Sequence, residues 1–365
     1  ASARIDAEQT DWTWTPVEDQ TADLAAGTEN LVFYNTYTRN TGSLTATGSG
    51  ASAGIGSVWN SGNYSDSGAG DIEITGGDIT AIGASSAAGI GSGCNATGET
   101  NITISGTAKI KAQTEQGGAG IGSGSGATGN TNITISGGTI ENAQGGSGGA
   151  GIGSGDGSTG QTTVTIKSGT IKNATGGNTG DGIGGGCDSK NITVKIEGGT
   201  IEKAKGGDGY GSHDAGDGIH SDGKLTISGG TIGTAQGGVG NASGGSGILG
   251  KTMEILAGTI QKAIGGNSTG TGENDTGGDG ISASKFTISG GEIQQATGGA
   301  STNGSGGSGI RSNGNGTLTI KGGKIEQATG GDSEKYGGSG IYSSSKLTIS
   351  DSATIRTAQG GDGKG

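Results

Sequence analysis

An isoleucine placed directly after a glycine returns along this chain at nearly constant spacing, and that period limits the possible folds more than any other feature. It stands at Ile55, Ile90, Ile121, Ile152, Ile183, Ile219, Ile248, Ile281, Ile310 and Ile341, with intervals of 35, 31, 31, 31, 36, 29, 33, 29 and 31 residues. A period in this range is the mark of a solenoid, in which each repeat buries its apolar face only by stacking on its neighbours. Residues 119–149 show the unit most clearly: short apolar runs at Gly120-Ile121-Gly122, Ile133-Thr134-Ile135 and Thr139-Ile140, then Ala143, all separated by Gly, Ser, Asn and Thr.

Each repeat carries two further apolar runs. The second reads Ile72-Glu73-Ile74, Ile102-Thr103-Ile104, Ile133-Thr134-Ile135, Val164-Thr165-Ile166 and Val194-Lys195-Ile196, and continues to Leu347-Thr348-Ile349. Alternation with period two marks a strand with one buried face. The third is centred on Ile79, Ile110, Ile140, Ile171, Ile201, Ile232, Ile260, Ile293, Ile325 and Ile355, and in the last eight of these an alanine follows three residues later. The expected fold is therefore all-β: a right-handed parallel β-helix of about ten three-sided coils, one repeat of about 31 residues per coil. Charges agree with one repeat per coil. Lys111, Glu141, Lys172 and Glu202 follow the third-strand isoleucine in successive repeats, so they would stack with alternating sign, as would Lys167 and Glu197.

Composition matters here because 91 of 365 residues are Gly and one is Pro. Collagen needs Gly at every third residue and abundant Pro, and disorder would not place isoleucine at fixed positions. A hydrophobic content of 27% is too small for a thick core but enough for one layer of Ile and Ala per coil. The net charge of −12 argues against nucleic acid and anionic membranes as partners. No apolar run approaches the roughly 20 residues of a membrane span. Residues 1–43 differ from the rest, with Trp12, Trp14, Phe33, Tyr34, Tyr37 and the sole proline, Pro16. They are expected to form an amino-terminal cap over the open end of a β-helix spanning 44–365, because an uncovered edge aggregates. The last repeat stops after its third strand and no export signal precedes Ala1, so the chain reads as a segment of a longer one.

The pieces Leu44-Thr45-Ala46-Thr47-Gly48, Ala119-Gly120-Ile121-Gly122 and Thr134-Ile135-Ser136-Gly137-Gly138-Thr139-Ile140 resemble the repeats of β-helix domains in secreted and cell-surface proteins of Gram-positive bacteria. Residues 216–223, GDGIHSDG, are similar to repeats of domains labelled carbohydrate-binding. The resemblance implies an extracellular, cell-wall-associated or adhesin-like module, with glycans or host and cell-surface proteins as partners.

Three sets of residues carry possible chemistry. Residues 208–222 hold both histidines, His213 and His220, with Asp208, Tyr210, Asp214, Asp217 and Asp222, inside the longest interval of 36 residues. An inserted loop is expected there, either a ligand or metal site or a solvated turn. Asp181, Asp217 and Asp279 each stand two residues before the repeat isoleucine. Asp181 and Asp217, in adjacent coils, could offer paired oxygens to Ca2+ or simply cap a tight turn. Outward threonines such as Thr103, Thr134 and Thr165 raise an ice- or mineral-binding surface, although Glu73, Lys195 and Glu254 interrupt the array. A polysaccharide lyase or glycosidase is the enzymatic alternative, but no catalytic constellation emerges, since Arg39, Arg311 and Arg356 are scattered. A structural, non-enzymatic module is the expected role. Cys94 and Cys187 occupy the same corner three repeats apart, about 14 Å at strand spacing, which is too far for a disulfide.

Overall fold

Each repeat closes one turn of a parallel β-solenoid, and like residues stack on like. The computed structural model describes residues 42–58, 68–314 and 316–364; the expected cap at 1–43 lies almost wholly outside them. The described residues contain strands and no helix, and so no helix long and apolar enough to cross a membrane. Three parallel ladders run the length of the stack. The corner ladder joins Ile90 to Ile121, Ile152 and Ile183, then Ile219, Ile248, Ile281, Ile310 and Ile341. The second joins Ile104, Ile135, Ile166 and Ile196, and the third joins Ile140, Ile171, Ile201 and Ile232. These side chains form a single buried column, with Ile121, Ile135, Ile140 and Ile152 all at 0% exposure. One repeat is one coil, as the period requires.

The charge pattern is realised in part. Lys172 and Glu141 form an ion pair at 2.9 Å. Lys111 does not join them, because the third strand gains a residue between its isoleucine and its alanine from Ile140 onward. Lys111 consequently pairs with Asn142, and Glu141 bulges out of the ladder. Lys167 and Glu197, which the same logic stacks, make no ion pair.

The corner strand divides the solenoid in two. In the earlier coils it is only two residues long, as at Ile121–Gly122 and Ile152–Gly153. Its second residue is always glycine, with φ of 135° at Gly91, 140° at Gly122 and 141° at Gly153. A Cβ at Gly122 would sit 1.8 Å from the Gly153 carbonyl oxygen, so only glycine fits this turn. A loop at 92–99, 123–130, 154–161 or 185–191 then leads to the second strand. After Gly184 the column changes to His220, Leu249, Ser282, Arg311 and Tyr342. With an ordinary residue there, corner and second strands fuse into Ile219–Ile227, Ile248–Ile255 and Ile281–Ile288, while in the last two coils Ile310–Ser312 and Ile341–Ser343 stay separate from Thr317–Ile320 and Lys346–Ile349.

The glycine pairs after the third strand form a hydrogen-bonded seam. Gly146 N–H donates to Gly118, Gly149 to Gly146, Gly177 to Gly149 and Gly180 to Gly177. The relay continues through Gly207, Gly216, Gly238, Gly245, Gly266, Gly278, Gly299, Gly307, Gly331, Gly338 and Gly361, with every N···O distance between 2.7 and 3.1 Å. The backbones approach too closely for side chains: a Cβ at Gly245 would lie 1.9 Å from the Gly216 carbonyl oxygen. In earlier coils two seam glycines are three residues apart, as at Gly146 and Gly149. In later coils an arm grows between them, as from Gly207 to Gly216 and from Gly266 to Gly278. The 36-residue interval is thereby explained, since the coil from Ile183 to Ile219 holds both the last corner loop, 185–191, and the first arm.

Candidate functional site

The change of coil type brings together side chains that the sequence leaves apart. In an earlier coil, the N–H of the residue two before the repeat isoleucine bonds within its own coil. Ala119 donates to Ser123 and Ala150 to Ser154, both carbonyls of the corner loop. The straight coils lack that loop, so the same N–H needs another acceptor. At Asp217, Ser246 and Ser308 an aspartate from the preceding coil supplies it. Asp217 N–H donates to Asp181 Oδ1 at 2.8 Å, Ser246 N–H to Asp217 Oδ1 at 2.5 Å, and Ser308 N–H to Asp279 Oδ1 at 2.7 Å. Of the two roles open to these aspartates, backbone capping is thus fulfilled by all three.

At the junction itself the aspartates gain a histidine. His220 takes the column position vacated by glycine, and its strand turns the ring back toward the coil below. Nδ1 lies 2.9 Å from Asp181 Oδ2 and 4.0 Å from Asp217 Oδ2, while Nε2 lies 3.6 Å from Asp222 Oδ1. Asp181 Oδ2 also accepts the Gly185 N–H at 2.7 Å, and Ile192 N–H holds Asp222 Oδ2 at 3.2 Å. Donor atoms of Asp181, Asp217 and His220 all fall within 4.8 Å of one another. A cleft of about 310 Å³ opens beside them, between corner loop 185–191 and the first arm, lined by Cys187, Asp188, Ser189, His213 and Asp214 among others.

Burial, reinforced by the negative charge of Asp181, pushes Asp217 up to about 7 against the pull of His220 and the Ser246 N–H. For His220, burial disfavours the imidazolium, but Asp181, Asp217 and Asp222 together outweigh it and raise the ring to about 10. At neutral pH the histidine is therefore the cation of the cluster. Asp279, two coils on, is likewise raised by burial, opposed by Arg311, whose guanidinium lies 3.8 Å away.

The expected loop at 208–222 is therefore two things. Only its first half projects. Tyr210 is 72% exposed. Asp208 accepts the Val239 N–H at 3.0 Å and Asp214 the Ser243 N–H at 3.1 Å, so both cap the next arm. His213 and Asp214 reach the rim of the cleft, whereas Asp208 and Tyr210 lie off it. Asp217, His220 and Asp222 belong instead to the coil wall and the strand Ile219–Ile227. Ile219 is a repeat isoleucine, so its neighbours must follow the ladder and not a loop. The two histidines are thus parted, and His220 meets Asp181 of the previous coil, 39 residues away. Cys94 and Cys187 are free thiols at matching corners, their N–H groups donating to the carbonyls of Ala51 and Gly148 in the coil below.

Among protein families, the model described as Beta helix repeat matches five successive segments, 72–94, 102–125, 133–156, 164–187 and 194–222. The last match ends on Asp222, at the junction. Neither curated proteins nor solved structures yield a match to the chain.

Proposed function

We propose that this chain is a stiff, non-catalytic module of a bacterial surface protein, working outside the cell as a spacer and adhesive face toward glycans or host and cell-surface proteins. The observation that carries this reading is the unbroken stack: three ladders and a glycine seam tie successive coils, leaving rows of polar side chains on the outside. Such a row is Asp71, Asn101 and Asn132, linked by amide hydrogen bonds of 2.9 Å. Rows of like polar groups at strand spacing suit a repeating polymer better than one small molecule. The extracellular setting rests on the resemblance of the Ala119–Gly122 and Thr134–Ile140 pieces to surface-protein repeats. Binding of the intact chain to a glycan array, with retention on fixed bacterial or host cells, is the expected result. Silence on both would reduce the module to a spacer.

The cleft at the junction is the one observation that favours the alternative, an enzyme acting on polysaccharide. Its two most buried members speak against that reading, because both oxygens of Asp181 already accept backbone N–H groups and His220 is held charged. Release of reducing ends or unsaturated sugars from a panel of acidic and neutral polysaccharides would reinstate the enzyme.

A further inference from the structure

We propose that Asp181, Asp217 and His220 form a binding site for one divalent transition cation of the zinc class, which pins the first straight coil to the last looped one. The inference goes beyond the role of the module as a whole and does not depend on it.

The donor set selects the ion. One imidazole nitrogen and two carboxylate oxygens from three side chains suit zinc-class ions. Ca2+ takes six to eight oxygens, which this site does not offer. The spacing also fits. Donors at about 2.0–2.1 Å from a tetrahedral ion stand roughly 3.3 Å apart, and here Nδ1 lies 2.9 Å from Asp181 Oδ2 and 4.0 Å from Asp217 Oδ2. The ion would take the place of the Nδ1 proton. Its fourth position would open on the cleft.

Two further observations point to a ligand. Asp217 is 8% exposed and uses only Oδ1, toward the Ser246 N–H; its Oδ2 makes no hydrogen bond and faces the ring of His220. Asp222 stands on the opposite ring nitrogen at 3.6 Å, itself fixed by the Ile192 N–H. A carboxylate on the far nitrogen is the usual outer support of a metal-binding histidine, since it fixes the tautomer and the ring plane. Asp279 supplies an internal contrast. It shares the register of Asp181 and Asp217, but Arg311 stands against it in place of an imidazole, so that coil already has its cation.

The test uses the whole chain, stripped with a chelator and then titrated with Zn2+ and, separately, Co2+ and Ca2+, by calorimetry and visible absorption. One equivalent of Zn2+ and of Co2+ should bind, the Co2+ form showing the intense visible bands of a near-tetrahedral site, while Ca2+ at equal concentration stays silent. His220→Gln and Asp217→Asn should each weaken Zn2+ binding at least tenfold, and Asp279→Asn should leave it unchanged. Melting curves of the stripped variants report folding, and Asp217→Asn carries the test if His220→Gln does not fold. A silent Zn2+ titration of the parent chain overturns the proposal and leaves a buried ion network with imidazolium as its cation. Unchanged affinity in both ligand variants overturns it too. So does loss of binding in Cys187→Ser with a thiolate charge-transfer band, which would place the ion on the cleft rim.

Discussion

The coils before Gly184 and those after His220 share one core and one register, yet they turn their corners in different ways. The earlier coils make a sharp turn at a positive-φ glycine and send out a corner loop. That loop is held by a row of serines, with Ser92 Oγ accepting the Gly124 N–H at 3.1 Å and Ser123 Oγ the Gly155 N–H at 3.0 Å. Three of the later coils run straight through the same corner, and the later coils put their extra residues into arms between seam glycines. What is lost at one corner is gained at another, so the interval between isoleucines changes little. The comparison teaches that the buried ladders set the coil, while loops are free to move wherever the backbone hydrogen bonds of the stack can be made good. At Asp217, Ser246 and Ser308 an aspartate takes the place of the loop carbonyl, and among the described residues two such aspartates meet a histidine at the boundary.

The largest effect should come from the part the two regions share. Ile135→Asp in the earlier region and Ile288→Asp in the later one should each cost at least about 4 kcal/mol, because an unpaired carboxylate would replace a side chain that is 0% or 1% exposed. Chemical denaturation of both variants checks this. Tolerance at either position would mean that the two regions do not share one core.

Next comes the feature that separates them. Gly122→Ala should destabilise by about 3 kcal/mol, since it combines a forbidden φ with a methyl driven into the Gly153 carbonyl. Leu249→Ala, in the same column beyond the boundary, should cost only about 1 kcal/mol, the loss of a half-buried side chain. Equal losses in a paired melting experiment would erase the distinction. The seam, by contrast, is common ground, and Gly245→Ala should be as damaging as Gly122→Ala because its Cβ meets the Gly216 carbonyl.

A smaller effect concerns the boundary. With chelator present, both titrating groups have folded-state values above their unfolded ones: Asp217 at about 7 against 3.8, and His220 at about 10 against 6.5. The folded state therefore holds protons that the unfolded chain has released, and stability falls as pH rises. Asp217 contributes the loss from about pH 4 to 7 and His220 that from about pH 6.5 to 10. Hydrogen exchange at Ser246 and Asp217 should accelerate over the alkaline window beyond its intrinsic pH dependence. The excess should vanish in His220→Gln and be absent at Ser308, in the later region. A flat response at all three sites would remove the charge cluster as a feature of the junction.

The smallest effect is chemical. Both cysteines sit in corner loops of the earlier region, and burial pushes both thiols up, so they should react sluggishly in the folded protein. Denatured without reductant, the monomer should show two reactive thiols. An intact mass lower by two hydrogens would place the two loops closer together than the stack allows.

Much of this was legible in the residues themselves. The recurrence of Ile121, Ile135 and Ile140 determined the period, the three strands, the inward face and the stacking of like on like, because a thin core can be buried only one way when every coil presents the same side chains. The positions of Asp181, Asp217 and Asp279 relative to the repeat isoleucine were equally plain. The seam was visible only as an excess of glycine, since its hydrogen bonds join Gly216 to Gly207 and Gly238 to Gly216 across gaps of varied length. His213 and His220 are neighbours in sequence, but a strand ladder fixes one and an arm carries the other. The partner of His220 is Asp181, one full coil away, reached because the glycine of the corner column gives way to histidine at the coil where the corner loop ends. That meeting depends on which coils carry a loop and on what the backbone must bond to when the loop is gone. It is decided between coils, and so only by the tertiary structure.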